Sequence, residues 1–264
     1  MSRKRKGILG LLAAILLLGG IGLYFYYPIM AMFPAETGYW EDTDIAVVNS
    51  GSSSFFLLPC EEGYIAIDAG TNADKTAQAL KQLEIDPADV SHVLLTHSDS
   101  DHTAALRLFP YAQFYMSENE KQMIDGSTKR NFFSKNSLPT KPLILDDLAF
   151  LRDGDTLNLG GRTVRCIETP GHTLGSMCFL VDDAYLFTGD AFQVKTKGNF
   201  FMRSTSTDPT FSLGFPGLLI VHPFTMDEET ALASLAKLRE LWPEGVMVFT
   251  AHYGIHRAEN LVFE

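Results

Sequence analysis

Short apolar runs and turn residues alternate along the chain once its N-terminal segment has ended. Apolar runs at residues 45–49, 53–58 and 64–68 are separated by Ser, Gly and Glu, which predicts a meander of β-strands. Residues 72–83 instead place apolar side chains at helical spacing, and residues 90–96 return to an apolar run. This order of strands, helix and strand predicts an α/β domain.

The second half of the chain carries further strand and helix signals. Gly160 and Gly161 lie between two apolar runs and indicate a tight β-hairpin. The segment from Thr225 to Glu228 has the form of a capping box, which predicts a helix that continues to about Leu241. The strands predicted for this half lie at residues 156–159, 162–168, 176–181, 185–188 and 246–250.

Residues 7–27 form an apolar segment without a charged side chain, directly after the basic residues 3–6. As a helix this segment would be about 30 Å long, which matches the hydrocarbon core of a membrane. We therefore expect a transmembrane signal-anchor helix, with a cleaved signal peptide as the alternative. The basic residues before it and the acidic residues after it predict a single-pass protein of the cell membrane with a cytoplasmic N-terminus. The predicted segments are a cytoplasmic tail at residues 1–6, the anchor at 7–27, a linker at 28–43 and a large extracytoplasmic domain at 44–264.

Composition supports one large, acidic domain. The chain has 264 residues, of which 46% are hydrophobic, and this is enough for a substantial core. Its formal charge is −11; without the four basic residues of the tail, 17 basic side chains remain against 32 acidic ones, a net charge of −15. Such a surface repels phosphate backbones, so we expect no nucleic-acid partner. Cys166 and Cys178 lie in apolar strands and are expected to be buried, although one disulfide with a leftover thiol stays open.

Four potential metal ligands occur within six residues at the end of the apolar run 90–95: His97, Asp99, Asp101 and His102. A strand that ends in a turn would bring these side chains to one point. Imidazole nitrogens and carboxylate oxygens bind divalent transition metals, and water or substrate can take a remaining position. The alternative is an acidic surface turn, because short motifs also match by chance.

Three more candidate ligands follow, and each lies near glycine at the end of an apolar run: His172, Asp190 and His252. Because glycine lets the backbone approach a buried site closely, these positions suit a metal centre. Together with the loop at residues 97–102, in this order and at these separations, they resemble the metallo-β-lactamase superfamily of metal-dependent hydrolases. The resemblance implies a four-layered αβ/βα sandwich, here preceded by one transmembrane helix. The run at residues 169–176 is most similar to the glyoxalase II and lactonase-like branches.

The resemblance also implies a role for each candidate. Two divalent metal ions would be bound, with zinc expected. The first site would use His97, Asp99 and His172, the second would use Asp101, His102 and His252, and Asp190 would bridge the two. Asp68 would orient a metal ligand by a hydrogen bond, with a plain Asp-Gly turn at the end of a strand as the alternative. Asp101 would also hold or relay a proton as the catalytic residue.

Asp99 departs from the family pattern because it occupies the place of the family's second His. Two divalent metals with three carboxylates and a hydroxide would make a neutral centre, whereas a His at this place would leave one positive charge. A carboxylate is also a hard ligand, which shifts the expected preference from zinc toward manganese or iron. Whether both metal positions fill stays open.

The function that these residues predict is hydrolysis by a metal-bound hydroxide, acting on a small-molecule ester, thioester, lactone, amide or phosphoester. Two alternatives stay open: a di-iron oxidoreductase similar to flavodiiron proteins, which also carry a carboxylate in the second-His place, and a metal-binding protein without catalysis. Substrate-binding residues and oligomeric state are not assigned. The segment at residues 194–216 lies where the family places substrate-contacting insertions. The polar stretch at 125–141 is interpreted as a solvated connection, with a lid that meets an anionic substrate as the alternative. His222 is interpreted as a loop residue outside the motifs, and His256 as a candidate contact behind the ligands.

Overall fold

Seven strands pair in chain order to form the first sheet: β1 (Gly38–Tyr39), β2 (Ala46–Asn49), β3 (Ser54–Cys60), β4 (Gly63–Ile67), β5 (Val90–Leu94), β6 (Gln113–Ser117) and β7 (Leu148–Leu151). The first four strands are antiparallel, and β5, β6 and β7 extend the sheet in parallel. The computed structural model describes residues 32–41, 43–128, 148–195, 217–222 and 224–263. Antiparallel neighbours need only short turns, whereas parallel neighbours need the longer connections found after β4.

The remaining strands are β8 (Thr156–Leu159), β9 (Arg162–Glu168), β10 (Met177–Val181), β11 (Tyr185–Phe187), β12 (Gln193–Lys195), β13 (Gly217–Ile220), β14 (Met247–Phe249), β15 (Ile255–Arg257) and β16 (Leu261–Phe263). Six of them form the second sheet in the order β15–β14–β11–β10–β9–β8. The predicted hairpin at Gly160 and Gly161 joins β8 to β9, and both glycines have positive φ. A small third sheet has the order β12–β13–β16.

The helices of the described residues are α1 (Ala73–Gln82), α2 (Ser100–Thr103), α3 (Lys121–Ile124) and α4 (Glu228–Leu241). Asn72 caps α1 by accepting a hydrogen bond from the backbone N–H of Lys75 at 3.0 Å. Helix α4 ends where the sequence predicts, but its cap is Asp227 and not the Thr225 of the capping-box pattern. Asp227 takes this role because its carboxylate accepts from both the backbone N–H and the hydroxyl of Thr230.

Both faces of each large sheet are buried, so the sandwich has four layers. Along β2, Val47 packs into the core between the two sheets, whereas Ala46 and Val48 pack on the opposite face with Leu80 of α1. On the second sheet, Leu235 of α4 packs against the face that is turned away from the first sheet. Side chains alternate between faces along a strand, so apolar runs without alternation suit these doubly covered sheets. The predicted αβ/βα sandwich is confirmed.

Several sequence predictions fall outside the described residues. They include the anchor at residues 7–27, most of the polar stretch at 125–141 and most of the segment at 194–216. In the part of the chain that the structure describes, no helix combines the length and apolar character needed to cross a membrane.

Candidate metal centre

The loop after β5 carries four candidate ligands into the interior. Strand β5 ends at Leu94, and the chain then turns so that α2 begins at Ser100. His97 and His102 are buried, Asp99 is buried at the edge of the site, and the Asp101 side chain is 28% exposed. The loop therefore places three ligands in the interior and a fourth, Asp101, where solvent can reach it.

The residues predicted for the first metal site meet at one point. The Oδ2 atom of Asp99 lies 3.4 Å from Nε2 of His97 and 3.4 Å from Nε2 of His172. The Oδ2 atom of Asp190 lies 3.3 Å from the same His172 nitrogen and 4.0 Å from that of His97. One oxygen of Asp190 thus belongs to this cluster.

The other oxygen of Asp190 belongs to a second cluster. Its Oδ1 atom lies 3.2 Å from Nε2 of His252 and 3.5 Å from Nε2 of His102. The Oδ2 atom of Asp101 lies 3.3 Å from the His252 nitrogen. The structure therefore brings together all seven residues that the sequence assigned to the two sites.

These separations fit ligands arranged around metal ions. Atoms about 2.0–2.2 Å from a common metal, at tetrahedral angles, lie roughly 3.3–3.6 Å from one another. The Nε2 atoms of His97, His102 and His252 are buried, yet they form no hydrogen bonds of normal geometry with these oxygens. Buried polar atoms need partners, and metal ions would supply them. Both clusters, linked through Asp190, fit a pair of metal ions.

The opposite ring nitrogens of these histidines hold the rings in place. Nδ1 of His102 lies 2.8 Å from Oδ2 of Asp68, and Nδ1 of His252 lies 2.7 Å from the carbonyl oxygen of Ser52. Both partners are acceptors, so each Nδ1 donates, and in the neutral ring that can bind a metal each Nε2 turns a lone pair toward the cluster. Asp68 also accepts from the backbone N–H of Thr96 at 2.8 Å, which ties it to the start of the metal loop.

Electrostatic coupling within the cluster is strong. Burial would raise the pKa of the Asp190 carboxyl, but His252, His222 and His102 hold it well below its usual value. Burial would lower the pKa of His252, but Asp190 and Asp101 raise it to about 10. Without metal the cluster therefore holds bound protons, and metal binding has to release them, so the affinity for metal rises with pH.

Glu120 supports the site, and the sequence analysis did not identify it. This fully buried residue accepts hydrogen bonds at Oε1 from the backbone N–H and the hydroxyl of Ser98, at 2.9 and 2.6 Å. At Oε2 it accepts from the hydroxyl of Thr173 at 2.8 Å and the backbone N–H of Gly175 at 2.9 Å. It thereby joins the loop of His97 to the loop of His172.

His222 lies in a loop, as interpreted from the sequence, but its position beside the candidate ligands was not predicted. It is buried, its Nε2 atom lies 3.7 Å from Oδ2 of Asp190, and its ring centroid lies 4.7 Å from that of His172. The pKa of His222 lies well below its usual value, mainly because burial disfavours the charged form of the ring. The sequence carries no signal for this placement beyond a His at the end of an apolar run.

His256 lies behind the ligand loop, where its Nε2 atom donates to the carbonyl oxygen of Tyr253 at 2.7 Å. This contact fixes the backbone next to His252. His92 lies elsewhere on the first sheet, with Nδ1 3.3 Å from the hydroxyl of Tyr115.

Comparison with known proteins agrees with this geometry. A family model described as the Metallo-beta-lactamase superfamily matches residues 49–251. A probable polyketide biosynthesis zinc-dependent hydrolase, BaeB of Bacillus velezensis, is 34% identical over 147 residues, which cover 56% of this chain and 57% of that protein. The match spans about half the length of BaeB and of the Lactamase-like protein adaB of Aspergillus niger.

Solved structures share the fold. A metallo-beta-lactamase superfamily protein from the archaeon Sulfolobus tokodaii is 21% identical, with a TM-score of 0.55 and 82% of each chain covered. A mutant flavo di-iron protein from Thermotoga maritima is 16% identical, with a TM-score of 0.58, and the match covers 85% of this chain and 58% of that one. At these identities the similarity concerns the fold alone.

Proposed function

This chain belongs to the metallo-β-lactamase superfamily, and on that basis we propose that it is a metal-dependent hydrolase of small-molecule esters or thioesters. Lactones, amides and phosphoesters are further candidate substrate classes. The observation that carries the proposal is the position of Asp190, because its two carboxylate oxygens face two separate sets of ligand atoms. Such a bridging carboxylate suits a two-metal hydrolytic site.

The residues have distinct roles in this proposal. A pair of bound divalent metal ions supplies a water molecule of lowered pKa and polarises the bond under attack. His97, Asp99 and His172 would hold the first ion, Asp101, His102 and His252 would hold the second, and Asp190 would contribute to both. Asp101 is the ligand with the greatest exposure to solvent, so it accepts the proton of the attacking water and passes it to the leaving group.

Zinc is the metal that we propose for this centre, since the relative BaeB is named a zinc-dependent hydrolase. Asp99 adds an oxygen ligand to the first site, and this favours manganese or iron more than a third imidazole would. The comparisons support the superfamily and no particular branch of it. A glyoxalase II or lactonase-like specificity remains a proposal that rests on residues 169–176.

Anchoring in the cell membrane through residues 7–27 also remains a proposal. It rests on the uncharged apolar segment and on the basic residues that precede it. In this arrangement the hydrolase domain meets its substrate outside the cytoplasm.

The proposed function is tested by metal analysis of the purified chain beside a hydrolysis screen of thioesters, lactones, β-lactams and phosphodiesters. We expect two metal ions per chain and turnover of at least one acyl substrate.

Asp190→Ala should lose metal from both sites and abolish turnover, because Asp190 contributes to both. The matched control is Asp74→Ala, which removes an exposed carboxylate from α1 and should keep metal and activity.

Each alternative function gives a different result in the same experiment. Full metal loading without turnover of any substrate would favour a metal-binding protein without catalysis. Iron with a visible absorption band, together with reduction of oxygen in place of hydrolysis, would favour a di-iron oxidoreductase. The carboxylate of Asp99 is the specific feature that supports the di-iron oxidoreductase as a second candidate function.

A further inference from the structure

His222 lies in the described loop between β13 and α4, at the edge of the first metal site. Its Nε2 atom is 3.7 Å from Oδ2 of Asp190, and its ring meets the ring of His172 nearly edge-on, at an interplanar angle of 86°. A buried imidazole at this position has two possible roles: a fifth ligand of the first site, or a hydrogen-bond donor that faces it. The two roles require opposite tautomers.

The neighbours of Nδ1 separate the two roles. In His102 and His252, Nδ1 faces an oxygen acceptor, so Nδ1 carries the hydrogen and Nε2 keeps a lone pair for a metal. In His222, Nδ1 instead accepts a hydrogen bond from the backbone N–H of Phe224 at 3.4 Å. A neutral imidazole carries one hydrogen, and the bond made by one nitrogen sets the tautomer, so the hydrogen of His222 is on Nε2.

The Nε2–H group of His222 therefore points at the centre as a donor and has no lone pair for a metal. The distance of 3.7 Å to Oδ2 of Asp190 is too long for a hydrogen bond, and Nε2 has no hydrogen-bond partner among the residues that the structure describes. A buried donor without an acceptor is costly, so an acceptor from outside the chain would satisfy it.

We propose that Nε2–H of His222 donates a hydrogen bond to the acyl oxygen of the substrate, which becomes negative during hydrolysis. This inference rests on the proposed acyl substrate. The oxygen of water adds to the acyl carbon while the carbonyl π pair moves to the acyl oxygen, and His222 stabilises that oxygen without giving up its proton. The carbonyl bond then re-forms and the bond to the alkoxide or thiolate breaks, and this leaving group takes the proton that Asp101 received from water.

The tautomer is tested without any turnover. The full chain is labelled with ¹⁵N-histidine, loaded with zinc alone, and studied by side-chain ¹H–¹⁵N correlation spectra, with His222 assigned from the signals lost in His222→Gln. We expect a protonated Nε2 and a bare Nδ1 for His222, and the reverse pattern for His102 and His252. A hydrogen on Nδ1 of His222 and a metal-bound Nε2 would overturn the proposal.

Activity and metal content then test the role of the donor. His222→Leu removes the donor at similar size, whereas His222→Gln keeps an N–H group at similar reach. We expect both variants to keep two metal ions, with kcat/KM lower by about 100-fold in His222→Leu and partly restored in His222→Gln. The control is His92→Leu, which replaces a histidine paired with Tyr115 away from the metal centre and should keep full activity.

The remaining outcomes are decisive as well. Loss of metal from the first site in His222→Leu would assign His222 as a ligand and overturn the donor proposal. Unchanged kcat/KM in a folded His222→Leu, with folding checked by circular dichroism, would overturn it too. If the unmodified chain hydrolyses none of the screened substrates, the proposed function fails, while the spectra still decide the tautomer.

Discussion

Asp99 is a carboxylate at a position where the family resemblance leads us to expect an imidazole. Its Oδ2 atom is equally distant, at 3.4 Å, from Nε2 of His97 and from Nε2 of His172. Between these two nitrogens the carboxylate adds one negative charge and one hard oxygen to the first site. The second site contains a different carboxylate, Asp101, so a change at Asp99 should affect mainly one of the two metal positions.

Asp99→Ala should weaken or empty the first site and leave the second site largely occupied. Asp99→His should raise the net charge of the centre by one unit and shift its preference from manganese or iron toward zinc. The more positive centre should also lower the pH at which the rate reaches half its maximum, because it favours hydroxide over water. Metal analysis with competing ions, beside a pH-rate profile, measures these changes. Unaltered stoichiometry and pH profile in Asp99→Ala would exclude Asp99 as a ligand.

Glu120 acts through its hydrogen bonds and not through the metal. All four of its partners are donors, from Ser98, Thr173 and Gly175, so the residue suits an ionised carboxylate and no amide. Glu120→Gln turns an N–H group toward at least one of these donors. Since each hydrogen bond to a charged group is worth about 1.5–3 kcal/mol, we expect the free energy of unfolding to fall by roughly 2–4 kcal/mol.

Chemical denaturation of Glu120→Gln, followed by circular dichroism, measures this loss. Glu118→Gln is the matched control, because Glu118 lies two residues away and pairs with Arg152 at the surface. We expect little change in the control, as solvent screens exposed ion pairs. Equal stability of the two variants would show that Glu120 does not hold the ligand loops together.

At the scale of elements, β9 and β10 place their cysteines on opposite faces of the second sheet. Cys166 pairs with Phe179, and Cys178 pairs with Ile167, so the two thiols are offset by one residue across the strands. Cys166 lies in the core between the sheets, and Cys178 lies in the core beneath α4. The predicted burial of both is confirmed, and the disulfide that the sequence left open is not formed.

Burial raises the pKa of both thiols to about 12. At pH 8 we therefore expect a thiol reagent to modify only the half-buried Cys60 in the folded chain, and all three cysteines in denaturant. Thiol counting by absorbance checks this. Rapid modification of two or more thiols in the folded chain would contradict the packing of β9 and β10.

The same shifts predict how stability depends on pH. Because each folded thiol holds its proton more tightly than the unfolded thiol, its contribution to stability is complete below the ordinary pKa of 9.0 and decreases as pH rises toward 12. Denaturation of Cys166→Ala and of the unmodified chain at pH 8 and pH 10.5 measures this. The decrease should be smaller in the variant, and an equal decrease would contradict the assignment.

At the scale of the whole molecule, the seven candidate ligands span residues 97–252, whereas the proposed anchor ends at residue 27. The metal centre and the anchor therefore use different parts of the chain.

A reporter fused after Glu264 should be active outside the cytoplasm, and the full chain should stay in the membrane fraction. Cell fractionation with a variant that lacks residues 2–31, expected in the soluble fraction, completes the test. Release of a mature form that begins near Leu23 would instead favour a cleaved signal peptide.

The amino-acid sequence by itself determined the features that depend on neighbours along the chain. The apolar runs predict β5, β9 and β10, helical spacing predicts α1, and paired glycines predict the turn between β8 and β9. Turn preferences and apolar periodicity depend on a few neighbouring residues, so these elements can be predicted from short stretches of sequence. The metal loop belongs with them, because a cluster of His and Asp side chains after an apolar strand is visible before any fold is known.

Only the tertiary structure decided which distant residues meet. Strands β6 and β7 and the small third sheet were not predicted, since their pairing depends on partners far along the chain. Glu120 is visible in the sequence only as one acidic residue in a polar stretch, yet the fold places it against Ser98 and Gly175. His222 reaches Asp190 for the same reason. These contacts join residues separated by 22 to 55 positions, because the packing of two sheets brings them together, and a local sequence pattern does not specify that packing.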